Sequence, residues 1–248
     1  MKSLDKTLEI LEHIFNKDGT PSTPGEVASS IKINAATCSR IMTELMEHGY
    51  IEKVSRRTGY VPGPVFYALG TRQSPYSQIA KAAEGPIREL AIKTSSMINI
   101  SVMKDAHRYV LFFYSGDKEK KFPLRTRYFD HYETATGRLL LSRAPEQDID
   151  FVISKLGLPK DAWNDIDCKE TFLRELTKTA KAATVKYPQG DIWVLGSLVN
   201  APGYPPAAIG FGVATKEKAD EAETLLQNAV TSIEEKLSLN NDEKTTFY

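Results

Sequence analysis

The stretch "NAATCSRIMTELMEHGYI", Asn34 to Ile51, decides how the N-terminal third of this chain is read. Asn34 predicts a helix N-cap, because its side-chain oxygen can accept from free amides of the first turn. Ile41, Met42 and Leu45 recur at helical spacing and predict the buried stripe, and Gly49 ends the helix. Cys38 falls on the same apolar side, where a thiol packs as a small hydrophobe. Off that stripe lie Ala35, Ala36, Thr37, Ser39, Arg40 and Thr43. A helix entering the DNA major groove needs small residues near its N-terminus and hydrogen bonders for base edges and phosphates. The same residues also describe a plain solvated face, so the neighbouring segments must decide.

Upstream, Leu4, Leu8, Leu11, Ile14 and Phe15 repeat at helical spacing behind a possible Ser3 cap, and Gly19 with Pro21 stops that helix. "TPGEVASSIK" predicts a second, short helix with Thr23 before Pro24 and an apolar face of Val27, Ala28 and Ile31. Downstream, Tyr50 to Val54 and Tyr60 to Val61 flank "SRRTG", the pattern of a hairpin with glycine in its turn. Three helices and a basic hairpin within about sixty residues describe a winged helix-turn-helix. Arg56 and Arg57 in the turn suit backbone or minor-groove contacts by the wing. Glu44, Glu47 and Glu52 lie near the proposed reading face, which points to modest affinity per monomer and to dimeric binding.

The expected domain organisation is a DNA-binding domain over residues 1–64, a helical linker over 65–95, an effector domain over 96–240 and a tail from 241. In the linker, Gly70 and Pro75 mark a break, and Gly85-Pro86 a possible kink. "MINISVMKD" and "RYVLFFYSG" read as strands, followed by three helices, two strands ("DIWVLGSLVN", "PAAIGFGVAT") and a long closing helix. Strands, helices, strands and a last helix predict an α+β domain with an antiparallel sheet. "NNDEKTTFY" reads as a frayed end.

Lysine plus arginine equal aspartate plus glutamate at 32 each, so bulk charge neither supports nor excludes a nucleic-acid partner. Cys38 and Cys168 have no CxxC spacing, which argues against a disulfide framework and fits a reducing cytoplasm. The N-terminus has no apolar run, and no stretch approaches a membrane span. His13, His48, His107 and His131 have no metal-ligand spacing, and no nucleophile motif, P-loop or dinucleotide fingerprint occurs. Neither cofactor nor enzymatic activity is expected. In "ETATGRLLLSRA", Thr134 can cap a helix whose first amides, at Ala135, Thr136 and Gly137, either form an anion site or a plain helix start. Trp193, Phe211, Phe112 and Phe113 either line an aromatic pocket or belong to the core.

These residues together resemble the IclR family of bacterial transcriptional regulators, over nearly the whole chain. "SLDKTLEILEHI" is similar to the family's opening helix, and "NAATCSRIMTELMEHGYIEK" to its recognition helix, with Arg40 at the usual arginine. "RTGYVPGP" resembles the exit from the wing, and "ETATGRLLLSRA" the signature of the effector domain. The resemblance implies a GAF-like effector domain behind a winged helix-turn-helix, acting on double-stranded operator DNA as a homodimer or homotetramer. It also implies control by a small molecule, with organic acids or aromatic metabolites as the usual class. The segment "VKYPQGDIWVLGSLVNAPG" departs from the family: its loop is shortened, with Trp193 about where a cysteine is expected and Ser197 about where a proline is. Gly210 and Gly212 stand where serines are common. The expected effector site therefore comprises Thr134, Ala135, Thr136, Gly137, Trp193, Ser197, Gly210, Phe211 and Gly212, shaped for an aromatic or larger organic acid. The rival expectation is a DNA-binding regulator whose C-terminal domain only oligomerises.

Overall fold

The computed structural model describes residues 3–17, 19–55, 58–70, 72–117 and 127–245, with side chains as far as residue 240. The chain divides after Gln73 into two compact units.

The first unit contains α1 (Ser3–Phe15), α2 (Pro24–Ser30), α3 (Ala35–Glu47), a hairpin of β1 (Ile51–Ser55) and β2 (Gly59–Pro62), and α4 (Pro64–Gly70). Its core joins Ile10 and Ile14 of α1, Val27 and Ala28 of α2, and Cys38, Ile41, Met42 and Leu45 of α3 with Ile51 and Tyr60 of the hairpin. The stripe expected on the third helix is thus its buried face. Two short motifs set the helix starts. Thr23 and Glu26 form a reciprocal capping box ahead of Pro24, and the Asn34 side chain accepts from the amides of Ala36 and Thr37. α4 is held here by Phe66, whose ring meets Phe15 and Tyr50 edge-on.

The second unit contains α5 (Pro75–Thr94), β3 (Met97–Lys104), β4 (His107–Ser115), β5 (Arg127–Tyr128), α6 (Ala135–Leu141), α7 (Glu146–Leu156), α8 (Lys169–Lys181), β6 (Val185–Gln189), β7 (Ile192–Val199), β8 (Ala207–Val213) and α9 (Lys216–Thr245). The strands pair antiparallel in the order β5-β4-β3-β8-β7-β6. α5 and α9 cover one face of this sheet, and α6 lies on the other with α8 behind it. β6 went unread in the sequence because Pro188 interrupts it; as an edge strand it can spare one amide. The shortened loop is the tight turn Gly190-Asp191 between Gln189 and Ile192, with Gly190 at φ +55.

Three expectations change. α5 is one continuous helix through Gly85 and Pro86, and Ile79, Ala82, Ala83, Ile87, Leu90 and Ala91 belong to the core of the second unit. Its apolar face is too fully buried for a mere connector. α4, the other half of the expected linker, belongs with the first unit. The expected tail is helical as far as Thr245.

At the base of the hairpin, Ser22 and Tyr60 exchange backbone hydrogen bonds of 2.9 Å, and Gly59 lies against the Ser22 carbonyl at φ +100. A Cβ on residue 59 would overlap that carbonyl and meet an unfavourable backbone conformation at once. Gly59→Ala should therefore destabilise the first unit by at least about 2 kcal/mol, read as a lowered first transition in thermal unfolding followed by circular dichroism.

Candidate functional sites: a reading helix and a two-faced sheet

On α3 the buried stripe leaves Ala35, Ala36, Ser39, Arg40 and Thr43 exposed, and Thr37 partly so. All six candidate residues of the helix therefore share its outer side. Two of them are already engaged. Arg40 pairs with Glu44 at 2.8 Å, with both side chains more than half exposed, and the Thr43 hydroxyl donates to the Ser39 carbonyl at 3.0 Å. An exposed i,i+4 pair is worth only about 0.3–0.5 kcal/mol, so a phosphate or base edge can displace Glu44. Arg56 and Arg57 lie outside the described residues. The flanking Ser55 and Thr58 hydroxyls bond one another across the turn.

In the second unit, period-two alternation divides the expected effector residues between opposite faces of the sheet. Trp193, Leu195 and Val199 of β7, and Ile209, Phe211 and Val213 of β8, pack against α5 and α9. Ser197 points the same way: its hydroxyl donates to the Ala183 carbonyl and accepts from Gln227 of α9. Trp193, Ser197 and Phe211 thus belong to the α5/α9 core, as does Phe112, and cannot share a pocket with Gly210 and Gly212. Of the two readings left open for Trp193, Phe211 and Phe112, the core is the one they occupy.

The α6 face carries the remaining candidates. Thr134 caps α6 by accepting from the Gly137 amide at 3.0 Å, and its hydroxyl donates to the Asp130 carbonyl. Ala135 and Thr136 rest directly on the glycines of the sheet. A Cβ on Gly196 would come within 2.7 Å of the Ala135 Cβ, and one on Gly210 within 2.7 Å of the Thr136 methyl. Gly212 is overlain by Ile192. Gly196, unnoticed in the sequence, pairs with Gly210 across the strands.

Beside this patch runs a polar chain that sequence reasoning missed. The Asn99 amide donates to the Gly210 carbonyl, Ser101 donates to Asn99, and Arg108 Nη1 donates to Ser101 at 2.8 Å. Arg108 is almost wholly buried and forks onto Asp130, at 2.8 Å from Nε and 2.5 Å from Nη2. The signal was present in "MINISVMK", where Asn99 and Ser101 alternate with isoleucine and valine. A second buried arginine, Arg138 on α6, has no carboxylate partner among the described residues. It donates to the carbonyls of Tyr132 and Ala162 and stacks on the rings of Tyr187, 3.6 Å from its centroid, and Trp163. Burial raises the Tyr187 phenol to about 12, although the Arg138 charge pulls it down.

His131 is fully buried next to Asp130; Nε2 meets the Ala106 carbonyl at 2.9 Å while Nδ1 has no protein partner. Burial outweighs that hydrogen bond and the Asp130 charge, and holds the imidazole below its ordinary pKa of 6.5. The unfolded chain therefore takes the proton first as pH falls, and stability is lost on acidification through about 6.5 toward the lower folded value. His131→Gln keeps a donor for Ala106 without titrating. The melting point of the second unit should fall less between pH 7 and 5.5 in this variant than in the wild type, as calorimetry at the two pH values would read.

Residues 3–55 match the model of the IclR helix-turn-helix domain. A search of curated proteins found no significant match. Among solved structures, an IclR homolog from Microbacterium hydrocarbonoxydans complexed with 4-hydroxybenzoate superposes with a TM-score of 0.75 at 19% identity, covering 95% of this chain and 99% of that one. The IclR of Thermotoga maritima gives 0.64 at 22% identity, over 95% and 98%. An IclR transcriptional regulator from Alicyclobacillus acidocaldarius gives 0.70 at 16%, over 94% and 98%. At such identities the structural likeness is one of fold, and the match in sequence is confined to the helix-turn-helix of residues 3–55. The chain thus carries an IclR-type helix-turn-helix domain over residues 3–55 and shares its fold along its length with solved IclR regulators.

Proposed function

We propose that this protein is an effector-responsive regulator that reads operator DNA with α3 and senses an aromatic or larger organic acid on the α6 face of its sheet. Ala35, Ala36, Thr37, Ser39, Arg40 and Thr43 meet the major groove in this reading, and Arg56 and Arg57 hold the backbone beside it. The observation that carries the effector half is the side-chain-free patch at Gly196, Gly210 and Gly212. It is edged by Asn99, Ser101 and Arg108 and roofed by the first turn of α6. Thr134, Ala135, Thr136 and Gly137 supply the roof, whereas Trp193, Ser197 and Phe211 support the site from the far side of the sheet. A flat ring suits a floor of glycines, and the homolog with bound 4-hydroxybenzoate supports that ligand class. Ligand entry lifts α6 from the glycines. It changes operator affinity only through its different affinity for the two arrangements.

The protein works as a homodimer or homotetramer in the cytoplasm. Leu4 and Leu8 on α1 and Tyr67 and Leu69 on α4 are exposed, an apolar set that a second copy would cover. Among the described residues no helix is long and apolar enough to cross a membrane. One observation favours a second reading. Ala135 and Thr136 already fill the space above Gly196 and Gly210, as they would in a domain that only oligomerises.

Two experiments test these halves. Arg40→Ala should weaken operator binding about tenfold or more in a gel shift, the scale of one lost base contact, with circular dichroism unchanged. Glu44→Gln, which frees Arg40 and removes a negative charge from the reading face, should tighten binding several-fold. Unchanged affinity in both would remove α3 from the interface. For the effector, 4-hydroxybenzoate at a hundred times its Kd should stabilise the protein by about 2.7 kcal/mol in a thermal-shift assay. Gly210→Val should abolish the shift. A preference for glyoxylate or pyruvate would overturn the aromatic assignment, and no response to any acid would favour the oligomerisation reading.

A further inference from the structure

On the outer side of α6, away from the sheet, an open groove of about 620 Å3 runs between the end of that helix, α7 and α8. Its lining combines two chemistries. Ile149, Leu173 and Leu176 give an apolar floor, continuous with the cluster around Phe172 and Trp163. Arg143 and Lys181 stand at the wall, with the hydroxyls of Ser142 and Thr177. Among the described residues no acidic side chain lines the groove.

The two cations are uncompensated. Arg143 donates from Nη2 to the Ala180 carbonyl at 3.0 Å, which fixes its guanidinium against α8. Neither Arg143 nor Lys181 has a carboxylate partner among the described residues, while nearby Lys178 and Lys169 each have one. The C-terminal carbonyls of α8 oppose an anion, but their dipole amounts to about half a charge, against two full positive charges.

We propose that this groove is a second ligand site, separate from the glycine patch, for a small amphipathic monocarboxylate. The carboxylate meets Arg143 and Lys181, and the hydrocarbon lies on Ile149, Leu173 and Leu176. Its regulatory meaning follows from α6. Ala135 and Thr136 at the start of that helix rest on the glycines of the sheet, and Ser142 and Arg143 just past its end form the groove. A ligand in the groove holds α6 from outside, so by linkage it changes the affinity of whatever binds beneath the helix. The groove site itself does not require that the glycine patch bind anything.

The test is calorimetric titration of the full-length protein with hexanoate and, separately, with hexanamide. For so small a ligand in an open groove the expected Kd for hexanoate is on the order of 0.1–1 mM. Hexanamide should bind at least tenfold more weakly. Arg143→Gln combined with Lys181→Gln changes only exposed side chains and should weaken hexanoate at least tenfold. Gly212→Ala, whose Cβ meets the Ile192 side chain and not α6, alters the glycine patch and should leave hexanoate binding largely unchanged. No saturable heat up to about 5 mM overturns the proposal. So does hexanoate binding that survives the double charge substitution, or that Gly212→Ala abolishes.

Discussion

The second unit depends on one constraint: β3, β8 and β7 are buried on both faces, and each strand gives alternate side chains to opposite layers. On one side Ile98, Ile100, Val102, Leu195, Ile209 and Phe211 meet the long helices α5 and α9. On the other, the same strands present Asn99, Ser101, Gly196 and Gly210 toward α6, with Gly212 beside them under Ile192. The first face is packed with large aliphatic groups and is built for stability. The second lacks side-chain bulk at its centre and carries a satisfied polar chain at its edge. Stability and candidate binding thus occupy opposite sides of one sheet, separated by its thickness.

The polar chain is costly unless complete. A buried guanidinium without partners would lose more on desolvation than one pair returns. Arg108 avoids this by using three of its nitrogens, two on Asp130 and one on Ser101. Asp130 in turn supplies the carbonyl that fixes the Thr134 hydroxyl at the α6 cap. The seating of α6 on the glycines is therefore tied through the cap to an ion pair on β4. Arg138 uses another arrangement, two carbonyls and two aromatic faces, to bind α6 to β6 and to the loop at Trp163.

In the first unit the exposed face of α3 is a by-product of the core. Once Cys38, Ile41, Met42 and Leu45 are buried, helical geometry places Ala36, Ser39, Arg40 and Thr43 outward. Glu44 then lies one turn from Arg40 and holds it in the free protein. The small residues at the helix start leave its backbone open to close approach, and Glu44 and Glu47 place negative charge further along the helix.

Local patterning alone determined the helices of the first unit, the hairpin that follows them, and most strands of the second, because caps, glycines and periodicity act within a few residues. It also contained the division of the sheet. Trp193, Leu195 and Ser197 are odd-numbered on β7, as Phe211 is on β8, while Gly196, Gly210 and Gly212 are even. What it could not supply was which parity faces which helix, because that depends on register between strands far apart in the chain. Only the tertiary structure paired Gly196 with Gly210, joined Arg108 to Asp130 across 22 residues and gave α5 to the second core. Those outcomes rest on long-range packing, where burial of whole faces decides between arrangements that local sequence leaves equal in energy.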